Sequence, residues 1–351
     1  MPNVGYATLQ VIPSVRGIAN ELRQQLVGPA QQAGEQAGEE SGSGFRDAFK
    51  GVLAALGVEA IAEKAGEVFS EAFSSAIEQG NITGRLQAQL GATPQDAARY
   101  GKLAGKLYSS GVTDSFEDAA DVIRNVAQGG LVPPKATNDQ LQSIATKASD
   151  VASTFGADFE SVVNGASQLI AGGLVKNAAA AFDLITVGYQ KLGPKADDLL
   201  DTINEYSPQF SKMGLDGKTA LGIIFQAVKG GARDTDNVAD TLKEFSLRAV
   251  DGSATTSAAF KTLGINAKQF TTEFTKGGDS AQGALDLVFD KLRTLKGAEW
   301  QNTVTALFGG PGEDLGAAIN SIDVSGAVSQ LGDLDGAADQ VGKDIRSGPS
   351  Y

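Results

Sequence analysis

Glycine is the feature that most restricts this chain, because it falls where helices would otherwise continue. The 351 residues contain 44 glycines. Gly-Gly pairs begin at 129, 172, 230, 277 and 309, each after a stretch with helical apolar spacing. An interior glycine costs a helix about 1 kcal/mol relative to alanine, whereas a glycine just past the last turn readily takes the conformation that ends one. The spacing therefore excludes one uninterrupted rod and predicts helices of roughly 12–18 residues separated by Gly-rich turns. No exact repeat of fixed period is present. Start signals agree with the stop signals. Thr93 precedes Pro94, Asp114 and Glu117 have capping-box spacing, and so do Thr137 with Gln140 and Asn266 with Gln269. Residues 129–137, which include Pro133 and Pro134, read as an extended linker. No strand signal follows Pro13, so the expected class is all-α, an elongated array of helical hairpins.

The N-terminal part reads differently. "GYATLQVIPS" sets Tyr6, Thr8 and Gln10 against Ala7, Leu9 and Val11, the alternation of a single short β-strand. "SVRGIANELRQQL" follows as a short helix capped by Ser14, and the Gly-, Gln- and Glu-rich residues 28–44 read as a flexible linker. From Phe45 the apolar residues Phe49, Val52 and Leu56 recur by four, three and four. After a break at Gly57, Ile61, Ala65, Val68 and Ala72 restore the stripe, with Phe69, Phe73 and Ile77 beside it. This predicts one long amphipathic helix over 45–90. It reads equally as a core helix or as a coiled-coil strand, the latter giving self-association through 45–84. The expected organisation is thus 1–44 as strand, short helix and linker, 45–90 as long helix, 91–332 as helical core, and 333–351 as an acidic flexible tail.

Composition removes whole classes of chemistry. Cysteine and histidine are absent, which excludes a disulfide framework, a thiolate zinc site, a cysteine nucleophile and a Ser-His-Asp triad. With 29 basic and 42 acidic residues the net charge is −13, and no basic stripe exists to release counterions from a nucleic acid. "MPNVGYATLQVIPSV" lacks the basic region and apolar core of a signal peptide. The most apolar run, "GVLAALGVEAIA" at 51–62, is too short to span a bilayer, so the chain is expected to be soluble and made in a cytoplasm, with membrane contact left open.

Three motifs resemble sites and are better explained otherwise. Gly217-Lys218-Thr219 has the ending of a phosphate-binding loop, but Lys212 stands where that loop needs its first glycine, and no strand leads into it. Asp216 as a cap, followed by "KTALGIIFQAVK" and closed by Gly230-Gly231, accounts for the same residues as a short helix. Asp197-Asp198 and Glu313-Asp314 are adjacent on helices, so neither pair faces one substrate; both fit the first turns of helices, where the dipole favours negative charge. "DLDGAADQVGKD" at 333–344 has its glycine at the fourth rather than the sixth position and lacks the bidentate glutamate of a calcium loop, and reads as solvated tail. No catalytic, cofactor-binding or metal residue is assigned, and no enzyme activity or cofactor is expected.

Several stretches in order resemble the tape measure proteins of long-tailed bacteriophages with actinobacterial hosts. They are "VGYATLQVIPSVRGIANELRQQL", "STFGADFESVVNGASQLIAGGLVKNAAAAFDLITVGYQ", the segment from Asp197 to Ser253, "AAFKTLGINAKQFTTEFTKGGDSAQGAL" and "ALFGGPGEDLGAAI". Together they cover about residues 4–320. The resemblance implies a non-catalytic structural role, in which a helical protein nucleates the tail at its tip with assembly chaperones. Tail tube protein then stacks around it, and its length sets where stacking stops. It implies as partners the tube protein, the chaperones and tip or baseplate proteins. The implied location is the tube lumen of the virion, after assembly in the host cytoplasm. An acidic chain suits a DNA conduit that must not grip DNA. Longer family members carry further helices and sometimes peptidoglycan-cutting domains, so this chain is expected to be the N-terminal and core part. The alternative reading is a membrane-active or secreted helical protein of a prophage remnant, suggested by the small-residue apolar helix at 45–80. A lytic enzyme is disfavoured because no glutamate sits in a recognisable catalytic context.

Overall fold

In the computed structural model, residues 81–347 are described, apart from Pro134. Residues 81–90 form α1. The helices that follow are α2 (Pro94–Ser109), α3 (Phe116–Gln128), α4 (Asn138–Phe155), α5 (Phe159–Ala171), α6 (Ala178–Leu192) and α7 (Leu199–Lys212). Next come α8 (Gly217–Lys229), α9 (Thr235–Arg248), α10 (Ala254–Thr262), α11 (Ala267–Thr275), α12 (Gly278–Thr294), α13 (Gly297–Leu315) and α14 (Ala337–Ser347). Among the described residues there is no strand, and the all-α expectation holds. The expected N-terminal strand, the 14–26 helix, the linker and all of the long helix before residue 81 lie outside the described residues.

Helix boundaries follow the punctuation, with instructive exceptions. Gly172 closes α5 and Gly173 takes φ +70°, so the second glycine of the pair supplies the left-handed residue, and 129–130 and 230–231 repeat the arrangement. The 277–278 pair instead opens α12, because α11 has already ended at Thr275. Gly309 breaks α13 from within, at φ +62° and ψ −156°, so this helix is two segments meeting at a kink. Thr137 and Gln140 make both bonds of the capping box, and Thr93 and Asn266 cap as expected. The Asp114–Glu117 expectation is corrected by one residue. Ser115 caps α3, its hydroxyl accepting from the Asp118 N–H at 2.9 Å.

One continuous apolar cluster runs from Ile82 to Ala338, and its chemistry changes along the chain. In the first half the helices meet through small residues: Ala104, Ala119, Ala145, Ala148, Ala166 and Ala181 are wholly buried. Backbones consequently approach closely, and a Cβ added at Gly188 would lie 2.7 Å from Leu199 Cδ2. In the second half the scarce aromatics are concentrated. Phe245 stacks on Phe308 at 5.0 Å and meets Phe270 and Phe274 edge-on, while Phe260 and Phe289 complete the group. Such ring pairs add about 0.5–1.5 kcal/mol beyond their burial.

Connectivity departs from a row of sequential hairpins. The most extensive helix contact is between α9 and α13, which are separated by three helices. After α13 the chain turns through Gly316–Ser321 and Val328–Gln330, crosses α8, and ends with α14 packed on α4 and α6. The expected flexible tail at 333–351 is therefore corrected over its described part. Residues 337–347 are a helix with Ala338 wholly buried, because an apolar surface and an acceptor for its first N–H groups, the Asp183 carboxylate, await it on the core.

The crossing predicts opposite effects of alanine at two helical glycines. Gly222→Ala should destabilise by about 1–3 kcal/mol, because its Cβ would lie 2.5 Å from the Ala327 carbonyl oxygen. Gly283→Ala, inside α12 with open space around it, should stabilise by about 0.5–1 kcal/mol. Urea midpoints of the two variants at constant m-value check both signs.

Candidate functional site

The Gly217-Lys218-Thr219 triplet folds into the first turn of α8, and its donors are already engaged. The Gly217 N–H donates to Leu174 O at 2.9 Å and the Thr219 N–H to Asp216 Oδ1 at 2.7 Å. Asp216 thus places a carboxylate where a phosphate would have to sit. Glycine is needed at 217 for packing, since a Cβ there would lie 2.8 Å from Leu184 Cδ2. Lys218 is half exposed and lies 3.5 Å from Asp335, on the far segment of the chain. Geometry and charge both oppose nucleotide binding here.

The acidic pairs do not form a catalytic dyad. Asp198 stands at the N-cap of α7, but its side chain makes no bond to that helix. Its carboxylate accepts instead from the Asp236 N–H at 2.9 Å and the Thr235 N–H at 3.4 Å, in the first turn of α9. Asp234 takes the next donor, the Asn237 N–H, at 2.8 Å. Glu313 and Asp314 follow the kink at Gly309, at the beginning of the second segment of α13. The 333–344 stretch is likewise occupied internally: Asp333 accepts from the Asp335 N–H, and Asp339 pairs with Lys147 at 2.7 Å. Among the described residues no cluster of acids is arranged to hold a metal ion.

Two of the open grooves among the described residues are the roomiest of those seen. The larger, about 730 Å³, lies beside Pro133 between the starts of α4 and α6, and is lined by Leu131, Ile144, Ile170, Gln140, Lys176 and Asn177 among others. Its two amide side chains are committed, Gln140 to the Thr137 N–H and Asn177 to the Ala180 N–H. The second, about 410 Å³, is bounded by Arg124, Asn125, Gln128, Glu160 and Asn164. There Arg124 is paired with Asp121 and Glu160, and Gln128 donates to Gln89 O. In the second groove the charged side chains are thus engaged with each other, while the first also carries Asp139, Ser143 and Lys176 on its wall.

The polar residues that matter most to this surface escaped the sequence reading. Asp183, on α6 and 8% exposed, accepts from the Gly336 and Ala338 N–H groups at 3.0 and 2.9 Å. Gln226, on α8, donates to Asp323 O and accepts from Asp323 N–H at 2.9 and 2.8 Å. Asp286 accepts from the Val324 N–H at 2.9 Å. All are side chains of one element satisfying the backbone of another far away, so no local spacing signals them. What the described residues present is a helical body in which Asp183, Gln226 and Asp286 hold remote segments together.

Comparison with known proteins gives that body a context. The model of the phage-related minor tail protein family matches residues 95–309, from α2 into the kink of α13. The chain belongs to this family. The probable tape measure protein of Streptomyces phage phiC31 is 42% identical over 267 residues, which are 76% of this chain and 36% of that protein. The chain thus spans about a third of the length of that curated relative. No solved structure matches it. The matched minor tail protein region contains the Phe cluster and the capped helices, so family membership rests on the folded core.

Two outcomes follow for these residues. Wild-type protein should show no ATP binding at micromolar concentration by calorimetry, and Lys218→Ala should change stability by no more than about 0.5 kcal/mol, whereas Asp216→Ala should cost about 1 kcal/mol through loss of the cap. Asp323 gives a pH prediction. Hydrogen bonds from the Gly326 N–H and the Ser325 hydroxyl hold its carboxyl below the ordinary range. A lowered folded value means stability present above the ordinary carboxylate pKa of about 4 and lost as pH falls through the lowered one. Asp323→Asn should therefore flatten the acid limb of the stability–pH profile, measured by urea unfolding between pH 2 and pH 6.

Proposed function

We propose that this minor tail protein is the N-terminal and core part of a tape measure, acting during tail assembly and then occupying the tube lumen until DNA leaves. The observation that carries this reading is the 42% identity with a probable tape measure protein across most of the chain. The net charge of −13 suits a conduit for DNA. The proposed partners are the tail tube protein, the assembly chaperones and the tip or baseplate proteins, met in the host cytoplasm during assembly. We read the role as non-catalytic. Among the described residues no helix is long and apolar enough to cross a membrane, and the 45–80 segment that suggested the membrane-active alternative lies outside them.

The proposal divides labour along the chain. The core, with its cross-chain ties, serves as a folded module that anchors assembly. The segment before it serves as ruler. The boundary is set by Ile82 and Leu86 of α1, which are buried in the core cluster, and by the Arg85–Glu117 ion pair. An in-frame deletion of residues 45–80 in the phage should therefore give a uniform population of tails shortened by roughly 50 Å, from about 1.5 Å per helical residue. Deleting α8 and α9 should abolish tails altogether. Electron micrographs of purified particles decide the matter. Tails of unchanged length after the first deletion would refute the ruler, and normal tails after the second would refute the anchoring module.

A further inference from the structure

The chain after α13 does not behave like the helices before it. It has left the core at Gly316 (φ +55°, ψ −135°) and travels back across it in short turns before forming α14. Along this path it is fastened at a series of points. The Ser321 hydroxyl donates to Gln226 O at 3.0 Å, and the Gln226 side chain pairs with both backbone groups of Asp323. Asp286 takes the Val324 N–H, Ala327 rests on Gly222, and Asp335 faces Lys218. At the far end Asp183 takes two N–H groups at the start of α14, and Lys147 meets Asp339.

We propose that residues 316–347 form a strap that opens as one unit before the rest of the core unfolds, with Asp183 as its latch. Three observations support this. First, each of these polar fastenings has a side chain on at least one side, from the core at Asp183, Gln226 and Asp286 or from the strap at Ser321, Asp335 and Asp339, and none is a backbone ladder, so water can replace each one when the strap lifts. Second, the strap is held from one side. Ile319, Ile322, Val324, Leu331 and Leu334 are buried against the core, while Val328 and Ile345 remain 37% and 48% exposed. Third, the core beneath has its own seam. The Phe245, Phe260, Phe270, Phe274, Phe289 and Phe308 cluster joins α9 through α13 and contains no strap residue.

Asp183 is the latch because of its position and burial. It holds the strap at the end opposite its attachment, and its partner Gly336 lies 153 residues away in sequence. Once its two donors leave, the Lys147–Asp339 and Lys218–Asp335 pairs and α14's apolar edge are left to hold that end. The strap gives a minor tail protein a folded core whose closure is a separate step from its formation.

Native-state hydrogen exchange on the full chain tests this. Amides of Ile322–Val341 should share one opening constant, at least tenfold larger than that of the buried amides in α9 and α13. Asp183→Asn, which keeps the volume but replaces an acceptor oxygen by a donor, should raise strap exchange about tenfold further and leave α9 unchanged. If that variant does not fold, Lys147→Ala should give the same selective increase at smaller size. Strap amides that exchange only together with α9 and α13 would overturn the proposal. So would a variant that accelerates every helix equally.

Discussion

Each helix begins with amide N–H groups that have no partner inside the helix, and a chain divided into many short helices repeats that problem at every start. The organisation of this protein follows from how those donors are satisfied. Thr93, Ser115, Thr137, Asp158, Asn177, Asp216, Asp234, Ser253 and Asn266 each accept from the backbone three residues on, within their own helix. Where local caps do not suffice, an acid on another element supplies the acceptor: Asp198 for α9 and Asp183 for α14. Much of the acidic excess thus has structural work at helix N-termini, where the dipole also favours it.

This use of polar side chains accounts for residues that resemble chemical motifs as parts of the fold. The Gly-Lys-Thr triplet lies at a helix N-terminus, which is where phosphate-binding loops also place theirs. What differs is that Asp216 and Leu174 O already hold its donors. The same competition operates at 333–344, where carboxylates close turns and pair with lysines.

The two halves of the core solve packing by different means. Alanine and glycine let helices in the first half approach until backbone nearly meets side chain, as at Gly188 and Leu199. The second half fills its centre with phenylalanine rings contributed by five helices. The glycines at 222 and 230 are a third use, since they receive the returning chain at Ala327 and Ser321. Glycine therefore ends helices at 129, 172 and 230, and elsewhere makes room for another segment.

By itself the sequence determined the helical class, the ends of α3, α5 and α8 at their Gly-Gly pairs, and the caps at Thr93, Thr137, Asp216 and Asn266, because these depend on residues within a few positions of one another. It also determined the absence of histidine and cysteine chemistry, and it carried the family resemblance. Only the tertiary structure decided that Asp198 caps α9 rather than α7, that Gly309 kinks a helix instead of ending one, and that α14 is bound rather than loose. In each case the deciding partner is distant in sequence. Asp183 looks like any acid on an apolar helix until Gly336 arrives beside it, and no local pattern encodes which donor will arrive. Spacing specifies bonds within a turn of helix; bonds between remote elements are specified by the packing that brings them together.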